Sequence, residues 1–112
     1  MHLYTAWYKE TKKLPKDLRY SIGLKISTLF TDVIEQTSLT QFSVLEKNKI
    51  IYADRAIAKN DTLKFMLYSL YELEGLSEET IFKLTSEADE IGKILYSWKR
   101  SAEEKLNKSK KT

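Results

Sequence analysis

The one histidine of this 112-residue chain is His2, and there is no cysteine. A thiolate nucleophile, a disulfide and a cysteine metal site are therefore excluded, and a lone imidazole at the start of the chain has no second ligand or triad partner beside it. Glu87, Asp89 and Glu90 crowd together. No Glu-x-x-His pair of the kind that builds di-iron sites in helical bundles accompanies them, so they read as a solvated helical face. Gly23, Gly75 and Gly92 lie too far apart for a phosphate-cradling loop. The residue inventory points away from an enzyme and implies no cofactor.

The basic residues form a clearer pattern. Residues 1–25 carry a net charge of +4, residues 26–98 of −5 and residues 99–112 of +4. Positive charge gathered at the two ends favours a polyanionic partner; solvated chain ends are the plainer alternative. Lys12, Lys13, Lys16 and Arg19 flank the only proline, Pro15, and Lys25 follows. Lys12, Lys16 and Arg19 line up at helical spacing if helix geometry holds across that bend. Lys47, Lys49, Arg55 and Lys59 form a second group, in which Arg55 and Lys59 share a face; Lys93, Lys99 and Arg100 form a third. Such stripes neutralise phosphates and release counterions, which gives salt-sensitive, sequence-tolerant binding. Seven tyrosines and two tryptophans offer rings for unpaired bases, although Trp98 sits on an apolar stripe and reads as core.

Helices must position these side chains. With three glycines and one proline, the chain has few breakers. A first helix presents Leu3, Trp7 and Leu14, with Tyr4 and Tyr8 beside them. Pro15 fits the first turn of a second helix, whose stripe runs Leu18, Ile22, Ile26, Leu29, Val33, widened by Phe30 and Ile34. Residues 37–43 read as a polar turn, and Ser43 with Glu46 reads as a capping box. A third helix spans about 44–74, through Ala53, Ala56, Ile57, Leu63, Met66, Leu67, Leu70 and Leu73. Asn60, Asp61 and Thr62 are poor helix formers and predict a bend or weak point within it. Gly75 predicts a Schellman ending with apolar Leu76 after it. Ser77 predicts the cap of a fourth helix, where Ile81, Leu84, Ala88, Ile91, Leu95 and Trp98 recur in steps of three and four. Gly23 and Gly92, next to apolar stripes, mark places where another helix could approach closely. The expected fold is all-α, an antiparallel four-helix bundle over residues 1–100, with residues 101–112 as a basic, flexible tail.

The N-terminal residues carry no signal-peptide pattern, and no run of about 18 apolar residues is present to span a bilayer. Absence of cysteine suits a reducing compartment. A cytoplasmic protein away from membranes is expected.

Three segments resemble the accessory variability determinant (Avd) proteins of diversity-generating retroelements: LPKDLRYSIGLKI (14–26), YADRA (52–56) with LKFMLYSLYEL (63–73), and EIGKILYSWKR (90–100). The resemblance extends from about Trp7 to Arg100. It implies a homopentamer of four-helix bundles that binds nucleic acid and associates with an error-prone reverse transcriptase. That complex copies a template RNA into mutagenised cDNA, with the Avd chain as an essential non-catalytic subunit. Lys16, Arg19, Arg55, Lys93, Lys99 and Arg100 fall where the family motifs hold basic or polar residues. Asp61 and Thr62 depart from the apolar or basic residues common there. The stretch YKETKKLPKDLRY (8–20) also resembles the four-helix proteins encoded in intervening sequences of ribosomal RNA genes, which would act as oligomeric interaction or nucleic-acid-binding modules without a reverse transcriptase. A metal-dependent bundle enzyme is a third reading, disfavoured by the single histidine.

Overall fold

Leu3 and Trp7 stand one turn apart, and both are buried; that spacing makes the first ten residues of the described chain a one-sided helix. A computed structural model describes residues 2–110 as α1 (His2–Thr11), the single turn α2 (Lys16–Arg19), α3 (Ile22–Phe42), α4 (Glu46–Glu72) and α5 (Glu78–Lys110). No strand forms among the described residues. The four longer helices build an antiparallel four-helix bundle, 58 Å long and about 20 Å across. Ion pairs record the antiparallel order. Lys64 and Lys99 reach Asp89 and Asp54 across α4 and α5, and Lys59 reaches Asp32 across α3 and α4.

The expected stripes form the core. Ile26, Leu29, Phe30 and Val33 of α3, Leu63, Leu67 and Leu70 of α4, and Ile81, Leu84 and Ala88 of α5 make one continuous cluster with Leu3, Trp7 and Leu14. Trp7 stacks on Phe30 at 5.8 Å, and its indole N–H donates to Ser27 Oγ at 2.9 Å. Its polar edge is therefore satisfied while its face is buried. A separate, smaller cluster joins Ala56, Ile57 and Leu95, with Trp98 packed against it. Asn60 lies at the boundary between the two. It is 1% exposed, and its side-chain amide donates to the Ala88 carbonyl at 2.9 Å. The Asn60–Thr62 stretch does not interrupt α4: the Asn60 amide nitrogen is bonded across to α5, although its Oδ1 is buried without a partner, and the exposed Thr62 Oγ1 bonds back to the Ala58 carbonyl.

Two turns differ from expectation. The helix after Pro15 is not continuous: α2 ends at Arg19, and the chain kinks at Ser21 before α3 begins. Pro15 stands just outside α2, with its carbonyl accepting from the amides of Leu18 and Arg19. The kink lays the Leu18 carbonyl on Gly23, where an added Cβ would stand 2.9 Å from that oxygen; the close approach expected at this glycine is made within the chain. Gly92 is looser, since a Cβ there meets only Asn60 at 3.5 Å. Residues 37–42 belong to α3 rather than to a turn. The Thr40 hydroxyl bonds the Gln36 carbonyl, and Ser43 Oγ bonds the Leu39 carbonyl. Ser43 therefore closes α3 and does not cap α4, which starts after Leu45 with no side-chain cap.

The α4–α5 connection has the predicted Schellman bonds, shifted by one residue. The Gly75 amide bonds the Leu70 carbonyl, and the Glu74 amide bonds the Tyr71 carbonyl, each at 2.9 Å. Glu74 takes the left-handed position, with φ 63°. Gly75 instead packs on Leu70, which a Cβ would strike. Leu73, expected in the core, is exposed because the helix has ended before it. Ser77 Oγ accepts the Thr80 amide at 3.1 Å and caps α5 as predicted. Residues 101–110, expected as a tail, extend α5. Ala102 is buried, and Lys108 and Lys110 lie in the last turn, where cations suit the helix dipole. Lys111 and Thr112 lie outside the described residues.

Candidate nucleic-acid interface

The ten residues of α1 are too few to accompany the 33 of α5. At its start, Leu3 shares a surface hollow with Glu87 and Ile91, and Leu14 beyond its end packs near Gly23. The fourth helix thus covers one half of the bundle only. That half, the four-helix end, holds the Pro15 and Gly75 turns. The other half consists of the last turns of α3, the first of α4 and the last of α5, and is the three-helix end. Beyond the reach of α1, a cleft of about 350 Å³ opens over Trp98 and Ala102, walled by Thr40, Gln41, Glu46, Lys49, Ser101 and Lys105.

The basic residues separate between these two ends. At the four-helix end Arg19, Lys12 and Lys13 are engaged within the chain, whereas Lys9, Lys16, Lys25 and Lys83 are exposed and form no ion pair. Arg19 turns inward, and its Nη2 donates to the carbonyls of Lys12 at 2.9 Å and Leu14 at 3.0 Å. It therefore does not line up with Lys12 and Lys16; the break at Pro15 and the kink after α2 turn it into a clasp for the preceding turn. Lys12 lies 4.9 Å from the Tyr8 ring, and Lys13 pairs with Glu10.

At the three-helix end Lys49 of α4 and Lys105 of α5 reach the same cleft. Lys47 lies outside it, and Arg100 lines a separate hollow with Asp61, Lys64 and Asp89; none of Lys47, Lys49 and Arg100 has a carboxylate within ion-pair distance. Lys105 and Lys108 continue the same run on α5; they were not among the sequence-derived candidates, because the segment beyond Arg100 was not expected to be helical. Their signal was present in the four- and three-residue spacing of Glu104, Lys108 and Lys105 among good helix formers. Arg55 stands 5.8 Å from the Tyr52 ring. Lys59 and Lys93 are exposed but paired, with Asp32 at 3.4 Å and Glu90 at 3.4 Å. Lys99 pairs with Asp54 at 2.7 Å, and that hydrogen bond holds its ammonium above the usual 10.5. Lys64, bridging Asp89 and Asp61, is raised for the same reason. Both lysines are spent on carboxylates, which leaves them less available to a ligand.

The cleft combines groups that suit an unpaired strand. Lys49 and Lys105 can meet phosphates, Ser101 supplies a hydroxyl, and the half-buried indole of Trp98 offers a flat apolar floor; one carboxylate, Glu46, shares the wall and confines phosphates to the lysine side. Elsewhere, no group of three His, Asp or Glu side chains among the described residues converges as a metal site requires, and no described helix is long and apolar enough to cross a membrane. The chain matches no protein-family profile, no curated protein and no solved structure.

Proposed function

We propose that this chain is a non-catalytic, cytoplasmic accessory subunit of a diversity-generating retroelement. It holds template RNA and cDNA by their phosphates and joins them to the error-prone reverse transcriptase. The observation that carries the nucleic-acid part is the cleft at the three-helix end, where Lys49 and Lys105, neither paired with a carboxylate, line the same hollow as Trp98. The retroelement part rests on the Avd-like segments. The four-helix fold that they imply is the fold found, and they map onto the α1–α3 junction, α4 and α5. Assembly into a homo-oligomer, a pentamer by the same resemblance, would repeat the basic end around a ring and multiply its phosphate contacts.

The test is binding of single-stranded RNA across a salt series, with and without the reverse transcriptase. Affinity should fall with salt at a log–log slope of roughly −0.7 per phosphate contacted. Lys49→Glu with Lys105→Glu should weaken binding by about tenfold or more and lower that slope, with helicity unchanged. cDNA synthesis should require the unsubstituted chain. Equal RNA affinity in the charge-reversed protein would end the nucleic-acid reading. RNA binding with no capture of the reverse transcriptase would favour the ribosomal intervening-sequence type of bundle instead.

A further inference from the structure

The outer groove between α4 and α5 at the four-helix end differs from the cleft at the other end in lacking any cation and in carrying three aromatic rings. It is a hollow of about 800 Å³ that runs between Tyr68 and Tyr71 of α4 and Phe82 of α5 over the buried Ile81. Its aromatic walls face solvent: Phe82 is 74% exposed and Tyr68 53%; Phe65, outside the groove on the preceding turn of α4, is 74% exposed. Single exposed rings are ordinary, but several together along one groove mark a contact surface. Glu78 and Glu79 line it; Glu72 ends α4, and Glu74 lies in the connecting turn. None of these four carboxylates takes part in an ion pair. Residues 65–82 contain all four and no lysine or arginine; the first cation after them is Lys83, exposed and unpaired.

From this charge and apolar pattern we infer that the groove is a docking surface for a basic, amphipathic helical segment of a partner protein. The inference rests on the adaptor reading above and assigns its protein-facing side. The acidic rim repels phosphates, so nucleic acid is the wrong occupant here. A helix laid between two neighbouring helices places its apolar residues in the groove at three- and four-residue spacing. Its arginines or lysines then meet the rim carboxylates and the faces of Tyr68 and Phe82, where ring and carboxylate act on one cation together. Their aliphatic stems cover the exposed ring edges. The molecule is thus polar in function as well as in charge, with the protein partner at one end and nucleic acid at the other.

The test is an amide-resolved NMR titration of the full chain with a synthetic helical leucine–arginine peptide, and with its leucine–glutamate counterpart. The arginine peptide should shift amides across residues 65–85 and the glutamate peptide should not. Combining Phe82→Ser with Glu78→Lys and Glu79→Lys should weaken the arginine peptide about tenfold or more. All three side chains are exposed, so the variant should keep its circular dichroism spectrum and its RNA affinity. Shifts centred elsewhere, equal binding of the glutamate peptide, or unchanged affinity in the variant would overturn the inference. Self-association in the ultracentrifuge that the same substitutions abolish would also overturn it, by naming a second copy as the occupant. Loss of RNA binding in Lys49→Glu, Lys105→Glu protein tests the other end separately, so failure of one assignment leaves the other standing.

Discussion

The two ends of the bundle are built from the same helices but on different terms. At the four-helix end, α1 seals a core that includes Trp7, Phe30, Leu67 and Leu70, and cations such as Arg19 are consumed in holding turns together. At the three-helix end, the core shrinks to Ala56, Ile57 and Leu95, and the cations remain at the surface. Both ends keep some exposed cations; what differs is the core beneath them and the presence, at the thinner end, of a cleft with a half-buried indole between Lys49 and Lys105. A basic residue gains functional meaning only after its partner in the fold is known.

The largest effect should come from removing the seal. Trp7→Ala, at a fully buried site, should cost about 3–5 kcal/mol in urea unfolding. Hydrogen exchange sharpens the comparison. If the two cores open independently, α1 and the first turns of α3 lose protection while amides around Leu95 keep theirs; uniform loss would make the bundle one cooperative unit.

Arg19 comes next. Arg19→Ala removes two charge-assisted bonds to backbone carbonyls and should destabilise by about 1.5–3 kcal/mol, with RNA affinity unchanged. Lys105→Ala, in the cleft beside Trp98, should do the reverse, weakening RNA without lowering stability. A loss of RNA affinity in folded Arg19→Ala protein would erase the distinction between the two ends.

The helical glycines give a smaller contrast of opposite signs. Gly92→Ala has room for its methyl group and should gain up to about 1 kcal/mol of helix propensity. Gly23→Ala gains the same propensity but must push away the Leu18 carbonyl, and should lose about 1 kcal/mol net. Thermal melting of both variants decides it.

The smallest effect belongs to the Lys99–Asp54 pair. The lysine's pKa is raised on folding, so the stabilisation is present in full below pH 10.5 and is lost as pH climbs through the raised value. Asp54→Asn should cost less than about 1 kcal/mol at neutral pH, because the pair is partly solvated. The gap between the two proteins should close in urea titrations above pH 10.5.

Much of this architecture was legible in the sequence, because apolar spacing reports burial directly. The stripes on α3, α4 and α5 and the Ser77 cap appear where they were expected. What failed depended on competition between local bonds. Ser43 had two partners within reach, a carbonyl behind it and amides ahead, and the carbonyl won. The break after Arg19 arises from the folding-back of α2 over Gly23, a tertiary contact with no period to betray it. At the candidate site, sequence supplied the right chemistry but not its partition. Arg19 and Lys99 looked as free as Lys49 and Arg100, since a carbonyl clasp and a distant Asp54 leave no mark on spacing. The acidic groove had a signal that went unread: Phe65, Tyr68 and Phe82 fall off the apolar stripes, so they had to face outward.

Glu74 carries a consequence for anyone redesigning this chain. It occupies a left-handed position that glycine adopts without steric cost, while the adjacent glycine sits where its freedom is unused. Glu74→Gly is thus the obvious thermostabilising edit, worth about 1 kcal/mol. It is also the edit that removes a negative charge from the turn beside the aromatic groove. A program that ranked substitutions by melting temperature alone would select it first, and would blunt the electrostatic identity of that end of the molecule while reporting an improvement.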